Sequence, residues 1–149
     1  AVPNSFALAA AQFGHDLRIA HPKGYELDDA LIAEIEQQAA AHGGSVEVSN
    51  DVHTAFDDID VVYAKSWGGK QFYGDTDKDI EYRVELRNDW IVDEAKMSRT
   101  NNGLFMHCLP VRRNVIVTDS VIDSANSVVI DGAENRLHIQ KAIMSDLIK

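Results

Sequence analysis

The sequence predicts an α/β fold with a doubly wound, mostly parallel sheet and helices on both faces. Short runs of β-branched residues alternate with longer segments of helical periodicity. That alternation is typical of parallel strands joined by helices, which bury the sheet on both sides. Glycines and prolines fall mostly between the segments, where turns are needed. A length of 149 residues predicts one domain.

Taken in order, a helix comes first, which Asn4 or Ser5 can cap and which ends at Gly14. Asp28 caps the second helix, and Gly43 ends it. The predicted strands lie at 17–20, 46–48, 61–64, 104–106 and 127–130. Later helical segments are a turn at 54–56, short helices at 93–96 and 119–122, and a C-terminal helix carrying Leu137, Ala142, Ile143 and Leu147. A polar loop is predicted from about Ser66 to Asn88.

The beginning of the sequence is unusual for this fold class. A doubly wound domain ordinarily starts with a strand, whereas the first predicted element here is a helix. We therefore expect the first strand to be missing. The opening Ala1-Val2-Pro3, without a methionine, suggests a fragment or a processed product.

Composition excludes several classes of partner. The formal net charge is −10, which argues against nucleic acid or an anionic membrane surface, because both require basic patches. One cysteine excludes an internal disulfide and fits the reducing cytoplasm. No apolar run is long enough to span a bilayer, and no signal peptide is evident.

The most informative stretch is 107–113, which follows the apolar strand at 104–106. It contains His107, Cys108, Arg112 and Arg113, at the edge where open α/β sheets hold ligands. Two guanidiniums there can bind phosphate or carboxylate by paired hydrogen bonds. The histidine and cysteine could instead be packing residues, and Arg113 a surface charge. By themselves these residues indicate an anion site and no particular reaction.

The same stretch resembles the H-C-L-P-x-R motif in the second domain of the ornithine and aspartate carbamoyltransferase superfamily. The segment 134–142 resembles the closing helix of that domain, and 63–68 resembles the branch acting on N-acylated ornithine. The three motifs occur in the family's order, and the resemblance covers nearly the whole chain. The resemblance implies a Rossmann-like domain that binds the amino acid.

The resemblance also implies roles for individual residues. Cys108 and the backbone carbonyl of Leu109 are expected beside the attacking amine. His107 and Arg112 are expected at the carbamoyl oxygen and the phosphate, and Arg136, placed at the start of the last helix, is expected to reach carbamoyl phosphate. For Arg113 a structural salt bridge is as good an expectation as a ligand contact. No metal or cofactor is implied.

Lys65 is the strongest indication of the substrate. In family members that use free ornithine, the matching position holds an aspartate that faces the α-ammonium group. Acylating the α-nitrogen removes that positive charge, and a lysine can then bind the substrate carboxylate. The alternative is a solvated loop lysine. Acetyl and succinyl substrates are not distinguished, because the 65–68 and 134–144 segments favour the acetyl branch and Ile116 favours the succinyl branch.

The family's carbamoyl-phosphate domain, with its Ser-x-Arg-Thr signature, is not found in this sequence. We therefore expect residues 1–149 to supply half of an active site and to be inactive alone. The complete enzyme is expected to be a trimer assembled through the other domain, with carbamoyl phosphate and N-acylornithine as its substrates.

Three alternatives to this hypothesis remain. A nucleotide-binding module is disfavoured, because no G-x-G-x-x-G follows any strand. An ornithine carbamoyltransferase would share the fold and most of the motifs. A non-catalytic amino-acid-binding domain would keep the fold without turnover.

Overall fold

The computed structural model describes residues 2–66 and 68–148, which divide into two compact units. Unit 1 comprises Ala1–Ala55 and Trp67–Trp90, and unit 2 comprises Phe56–Ser66 and Ile91–Lys149. Each unit contains one pair of parallel strands with adjoining helices, which confirms the α/β class and the parallel pairing. The elements are α1 (Val2–Gln12), β1 (Leu17–Ala20), α2 (Asp29–His42), β2 (Val46–Ser49), β3 (Val61–Ala64), α3 (Thr76–Trp90), α4 (Glu94–Met97), β4 (Leu104–His107), α5 (Asp119–Ile122) and α6 (Val129–Leu147).

Unit 1 is built on the crossover from β1 through α2 to β2. The two strands pair in parallel from Leu17↔Val46 to Ala20↔Ser49. Small residues let α1 and α2 pack closely, and the buried cluster is Ala7, Ala11, Ile35 and Ala39 with Leu8, Leu17, Ile19, Leu31, Ile32 and Val46 packed against it. This apolar cluster stabilises the unit by removing hydrocarbon from water.

The ends of the first two helices follow local chemistry. The Asp28 carboxylate accepts a hydrogen bond from Ala30 N at 3.1 Å, as predicted for the cap of α2. Gly43, at φ 83°, ends α2 in the left-handed conformation. The prediction for α1 was wrong at its start, because the helix begins at Val2 rather than after Asn4 or Ser5. Pro3 lies in the first turn, where its fixed φ suits a helix and its missing N–H costs nothing.

The predicted loop from Ser66 to Asn88 is wrong for most of its length. Helix α3 occupies Thr76–Trp90, after a single 3-10 turn at Lys70–Phe72. None of the residues of α3 is buried, so the helix lacks the apolar stripe that periodicity detects. Local pairs support it, among them Arg83 Nη2 with Asp79 Oδ2 at 2.7 Å, together with the stacking of Tyr82 on Tyr25.

Unit 2 is centred on β3 and β4, which pair in parallel from Val61↔Leu104 to Ala64↔His107. Phe105, which belongs to β4, and Val117 are fully buried in this unit. The predicted fifth strand at 127–130 is wrong: only Ser127 makes a single parallel bridge, to Phe105. Val128 N donates to Phe105 O at 3.0 Å, and the chain turns directly into α6 at Val129.

Among the described residues, no helix combines the length and the apolar character that crossing a bilayer requires.

Candidate active site

The register of unit 2 brings two of the predicted motifs to one edge. Because Ala64 pairs with His107, β3 and β4 end at the same level. Lys65 follows β3, and Cys108 follows β4. Lys65 Nζ lies 3.3 Å from Ser66 Oγ. Residues far apart in sequence therefore meet at the carboxyl edge of the strands, where ligands bind in folds of this class.

His107 is held as a neutral hydrogen-bond donor. Its Nδ1 accepts from Leu109 N at 2.9 Å, which assigns the proton of the neutral ring to Nε2. The side chain is 5% exposed, and Nε2 has no hydrogen-bond partner among the described residues. Burial lowers the pKa of His107, and the nearby Lys65 ammonium lowers it further. A buried N–H without a partner is costly, which indicates that a ligand atom satisfies it.

The Cys108–Pro110 turn directs backbone groups toward the same edge. Leu109 adopts a left-handed φ of 49°, and the Leu109–Pro110 peptide bond is cis. Cys108 is half-buried and free of disulfides. Its carbonyl oxygen accepts a hydrogen bond from Arg136 Nη1 at 3.3 Å. The turn thus places the Cys108 thiol and the Leu109 backbone beside His107.

Arg136 reaches the site from the middle of the last helix. Helix α6 begins at Val129, so the prediction that Arg136 starts this helix is wrong. About two helical turns precede Arg136, so this residue is not at the N-terminus of α6. Its long side chain reaches the Cys108 carbonyl oxygen from there. The structure places the Arg136 guanidinium beside Cys108, and its contact with carbamoyl phosphate stays a prediction.

The two adjacent arginines of the motif have different environments. Arg113 donates to both oxygens of Asp123, at 2.6 and 2.7 Å, and to Asp119 at 2.8 Å. These carboxylates raise its pKa above the ordinary arginine value, and Arg113 lowers the pKa of both aspartates. Arg112 is exposed, and within 2–66 and 68–148 its guanidinium makes no hydrogen bond or ion pair. Arg113 is therefore structural, and Arg112 is available to an anion.

Tyr63 is a site residue to which sequence reasoning assigned no role. It lies at the carboxyl end of β3, close enough to Cys108 for that side chain to act on the ionisation of its phenol. Burial raises the pKa of Tyr63, the Cys108 side chain raises it further, and the Arg136 guanidinium acts in the opposite direction. The available signal was its position one residue before the end of β3, where a polar tip on an apolar strand needs a partner.

The structure therefore brings together Lys65, His107, Cys108, Leu109 and Arg136. Arg112 belongs to the same loop, but no contact in the described part of the chain connects its side chain to the others. Trp67 of the 63–68 motif lies outside the described residues. No group of three or more potential metal ligands occurs in the described ranges.

Ile116 and a cleft beside Gly103 both lie away from this cluster of residues. Ile116, the position that favoured a succinyl substrate, is 6% exposed and belongs to the core of unit 2. A cleft of about 350 Å³ lies at the opposite, amino end of β4, next to Gly103, and none of the predicted site residues lines it. The chemistry-bearing residues and this cleft are therefore at different ends of the strand.

Comparisons with known proteins agree with the geometry. Residues 1–147 match the family model of the aspartate/ornithine carbamoyltransferase Asp/Orn binding domain. The N-acetylornithine carbamoyltransferase of Xanthomonas campestris pv. campestris is 48% identical over 99% of this chain and 44% of its own length. The ornithine carbamoyltransferase of Pyrococcus abyssi is 42% identical over 99% of this chain and 45% of its own length. The chain thus spans less than half the length of these relatives.

Solved structures extend the comparison to the fold. Acetylornithine transcarbamylase complexed with acetylcitrulline matches with a TM-score of 0.92 and 47% identity, over 100% of this chain and 45% of that one. A variant of N-acetyl-L-ornithine transcarbamylase complexed with carbamyl phosphate and N-succinyl-L-norvaline matches with a TM-score of 0.91 and 48% identity, over 99% and 45% of the two chains. This similarity confirms the Rossmann-like fold class.

Proposed function

Because this chain belongs to the aspartate/ornithine carbamoyltransferase family, we propose that it binds the amino acid in an N-acylornithine carbamoyltransferase. The enzyme moves a carbamoyl group from carbamoyl phosphate to the δ-amine of an N-acylated ornithine, giving an N-acylcitrulline in arginine biosynthesis. The observation that carries the proposal is the buried Nε2–H of His107, which has no partner among the described residues and lies beside the Cys108–Pro110 turn.

The residues of the site match the demands of this reaction. The δ-amine attacks the carbamoyl carbon, the carbon–oxygen bond to phosphate breaks with its electron pair going to the phosphate, and the proton that the nitrogen loses leaves with that phosphate. An alkyl amine has a pKa of about 10.4, so the site must favour its neutral form. Cys108 and the Leu109 carbonyl accept hydrogens from the amine and orient its lone pair. No covalent intermediate is required, because positioning can supply much of the rate.

Charge develops on two groups as the reaction proceeds. His107 donates its Nε2–H to the carbamoyl oxygen, which becomes an oxyanion in the tetrahedral state. A neutral donor held by burial is already oriented for this task, so no reorganisation accompanies the reaction. Arg112 and Arg136 bind the phosphate that leaves. Such positive groups also attract anionic substrates to a chain whose formal net charge is −10.

Lys65 supports the choice of an N-acylated substrate. Its ammonium acts on His107 at the carboxyl edge of the strands and lowers the pKa of that histidine. A cation at this position suits the substrate carboxylate and repels the α-ammonium of free ornithine. An N-acetylornithine carbamoyltransferase and an ornithine carbamoyltransferase both match this chain, so overall similarity does not separate the two substrates. The positive charge of Lys65 is the feature that favours the N-acylated one.

The complete enzyme contains more than this region. Residues 1–149 act as the amino-acid-binding domain, and a carbamoyl-phosphate domain outside this chain completes the site. The matched relatives support this division, because this chain covers 44% of the Xanthomonas enzyme. We place the enzyme in the cytoplasm, as a homotrimer formed through the other domain. Its partners are its two small substrates, with no role for nucleic acid or a membrane.

A substrate comparison tests the proposal. The complete enzyme is assayed for ureido product with carbamoyl phosphate and, separately, N-acetylornithine, N-succinylornithine and ornithine. We expect an N-acylornithine to be preferred over ornithine by about 100-fold or more in kcat/KM, because the rejected substrate brings a like charge to Lys65. Preference for ornithine would identify an ornithine carbamoyltransferase, and no product from any substrate would indicate a non-catalytic domain.

The Lys65→Ala variant tests the basis of that preference. Its KM for the N-acylornithine is expected to rise about tenfold or more, with the KM for carbamoyl phosphate nearly unchanged, because only the amino acid loses a charge partner. Lys23→Ala, at an exposed lysine of unit 1, is the matched control. An equal rise in both KM values contradicts the carboxylate role of Lys65.

A further inference from the structure

We propose that Tyr82 is a positioning residue for the amino-acid substrate, because its ring holds the turn that follows Lys65 against the turn that follows β1. The part of the proposal that concerns the substrate rests on the proposed function. The contacts of Tyr82 belong to unit 1 and can be tested without substrate.

Three aromatic rings from three separate segments meet in unit 1, and we call Tyr25, Phe72 and Tyr82 the aromatic clamp. Tyr82, on α3, stacks on Tyr25, with the ring centroids 6.0 Å apart and the ring planes 13° apart. Its ring also meets that of Phe72, with the centroids 5.5 Å apart and the planes inclined by 48°. Both separations lie in the range in which aromatic pairs attract each other. Tyr82 therefore joins the 3-10 turn at Lys70–Phe72 to the buried tyrosine after β1.

Tyr25 is a firm base for the clamp. It is 8% exposed, and its backbone N–H donates to the carbonyl oxygen of Pro22 at 3.2 Å, which closes the turn after β1. Its hydroxyl donates to Asp79 Oδ1, on α3, at 3.3 Å. Helix α3 thus contacts Tyr25 both by ring stacking and by a hydrogen bond.

Two glycines allow the turns themselves to come into contact. Gly24 adopts a left-handed φ of 86°, and a Cβ atom added there would lie 2.7 Å from Gln71 Nε2. A Cβ atom added at Gly69, which is buried, would lie 2.8 Å from Gln71 Oε1. The Gln71 side chain therefore packs against the backbone of both glycines. This contact holds the turn at Lys70–Phe72 on the turn after β1 independently of the three rings.

The clamp acts on Lys65 along the backbone. Before Lys65 the chain is fixed by the pairing of Ala64 with His107. After it, the next fixed point is Gly69, four residues on, whose carbonyl oxygen accepts from Phe72 N at 3.1 Å. Fewer residues then have to be ordered when the Lys65 ammonium binds a carboxylate, so less conformational entropy is lost. Limiting that loss is the contribution we assign to Tyr82.

The kinetic test removes the ring in the complete enzyme. Tyr82→Ala is expected to raise the KM for the N-acylornithine by about fivefold or more, with the KM for carbamoyl phosphate within about twofold. Tyr82→Phe keeps the ring and should leave both KM values within about twofold of the wild type. In a Lys65→Ala background, Tyr82→Ala should raise the KM for the N-acylornithine little further, because the charge that it positions is gone. Tyr73→Ala, at a tyrosine that is 97% exposed, is the matched control.

Amide hydrogen exchange gives a readout that is independent of turnover. Without substrates, Tyr82→Ala should accelerate exchange at 69–75 several-fold and leave Asp29–His42 unchanged, because only the first segment loses its anchor. Phe72→Ala, which removes the clamp from the turn and leaves the sequence of α3 intact, should have the same effect.

Three results would overturn the proposal: unchanged exchange at 69–75 in both variants, an equal rise of the two KM values in Tyr82→Ala, or a defect in Tyr82→Phe as large as that in Tyr82→Ala. Faster exchange at 69–75 in a complete protein that transfers no carbamoyl group would support the clamp and show that the proposed function is wrong.

Discussion

The residues of the 107–113 stretch differ in whether their N–H groups have hydrogen-bond partners. His107 keeps a buried Nε2–H for which the described residues supply no acceptor. Arg113 gives its hydrogens to Asp119 and Asp123, whereas the guanidinium of Arg112 makes no such bonds in the described ranges. Neighbouring residues of one motif therefore differ: Arg113 is bonded within the fold, whereas His107 and Arg112 keep donors available to a ligand.

The matched pair Arg112→Ala and Arg113→Ala tests this division. Arg112→Ala should lower kcat by at least about tenfold and leave thermal unfolding nearly unchanged, because its charge acts on the reacting groups. Arg113→Ala should lower the unfolding temperature, because Asp119 and Asp123 lose their shared cation. Activity and differential scanning calorimetry on both variants check the two effects. A kcat for Arg112→Ala within about twofold of the wild type would remove this arginine from the site.

His107 also predicts a pH dependence of stability. Its pKa in the folded chain is lowered from 6.5, so below that pH the unfolded chain takes up the proton first. The free energy of unfolding should therefore fall as the pH decreases through about 6.5 toward the lower folded pKa, and should show no His107 contribution above it. Urea unfolding of the wild type and of His107→Gln, between about pH 8 and about pH 5, measures the difference. Parallel curves for the two proteins would contradict a buried neutral imidazole.

Sequence reasoning at the residue scale succeeded where a motif was contiguous. Lys65, His107, Cys108 and Leu109 were all placed at one edge, because each directly ends or follows a strand. The proximity of Tyr63 to Cys108 depends on the pairing of two strands and on the turn after the second. No pattern within a single segment contains that information.

At the scale of elements, α3 and α6 show where periodicity is a weak guide. Helix α3 has no buried residue, and its support comes from polar pairs and from the contacts of Tyr82 with Tyr25 and Phe72. The segment at 127–130 has strand composition, yet only Ser127 pairs and the helix begins at Val129. The β-branched residues at the start of α6 have the composition of a strand. The rest of the helix is largely exposed and has no buried apolar stripe that would have indicated a helix.

The polar support of α3 is testable at Asp79. This carboxylate accepts from the Tyr25 hydroxyl at 3.3 Å and pairs with Arg83 at 2.7 Å, and burial together with Asp79 raises the pKa of Tyr25 to about 12. Asp79→Ala should lower the free energy of unfolding by about 1–3 kcal/mol, because a half-buried arginine and a buried phenol lose their acceptor. Amide hydrogen exchange should accelerate in Thr76–Trp90 in particular.

The control for this prediction is Glu85→Ala, at an exposed position of the same helix. It should change the free energy of unfolding by less than about 0.5 kcal/mol. Equal effects of the two substitutions would show that helix propensity, rather than the Asp79 pairs, supports α3.

Considered as a whole, the molecule combines an acidic composition with a small positive site. The formal net charge is −10, and the cations Lys65, Arg112 and Arg136 stand out against it. Fold class, parallel pairing and the meeting of the candidate residues at the carboxyl edge of β3 and β4 were all predictable from the alternation of elements. The number of strands was not, because strand pairing depends on contacts between distant segments.

The most direct measurement is a crystal structure of the complete enzyme with carbamoyl phosphate and an N-acylated norvaline, which lacks the reacting amine. We expect the carbamoyl oxygen within hydrogen-bonding distance of His107 Nε2, and the substrate carboxylate at Lys65. Both ligands bound without contact to the 107–109 turn, for example at the cleft beside Gly103, would contradict the assignment of the active site.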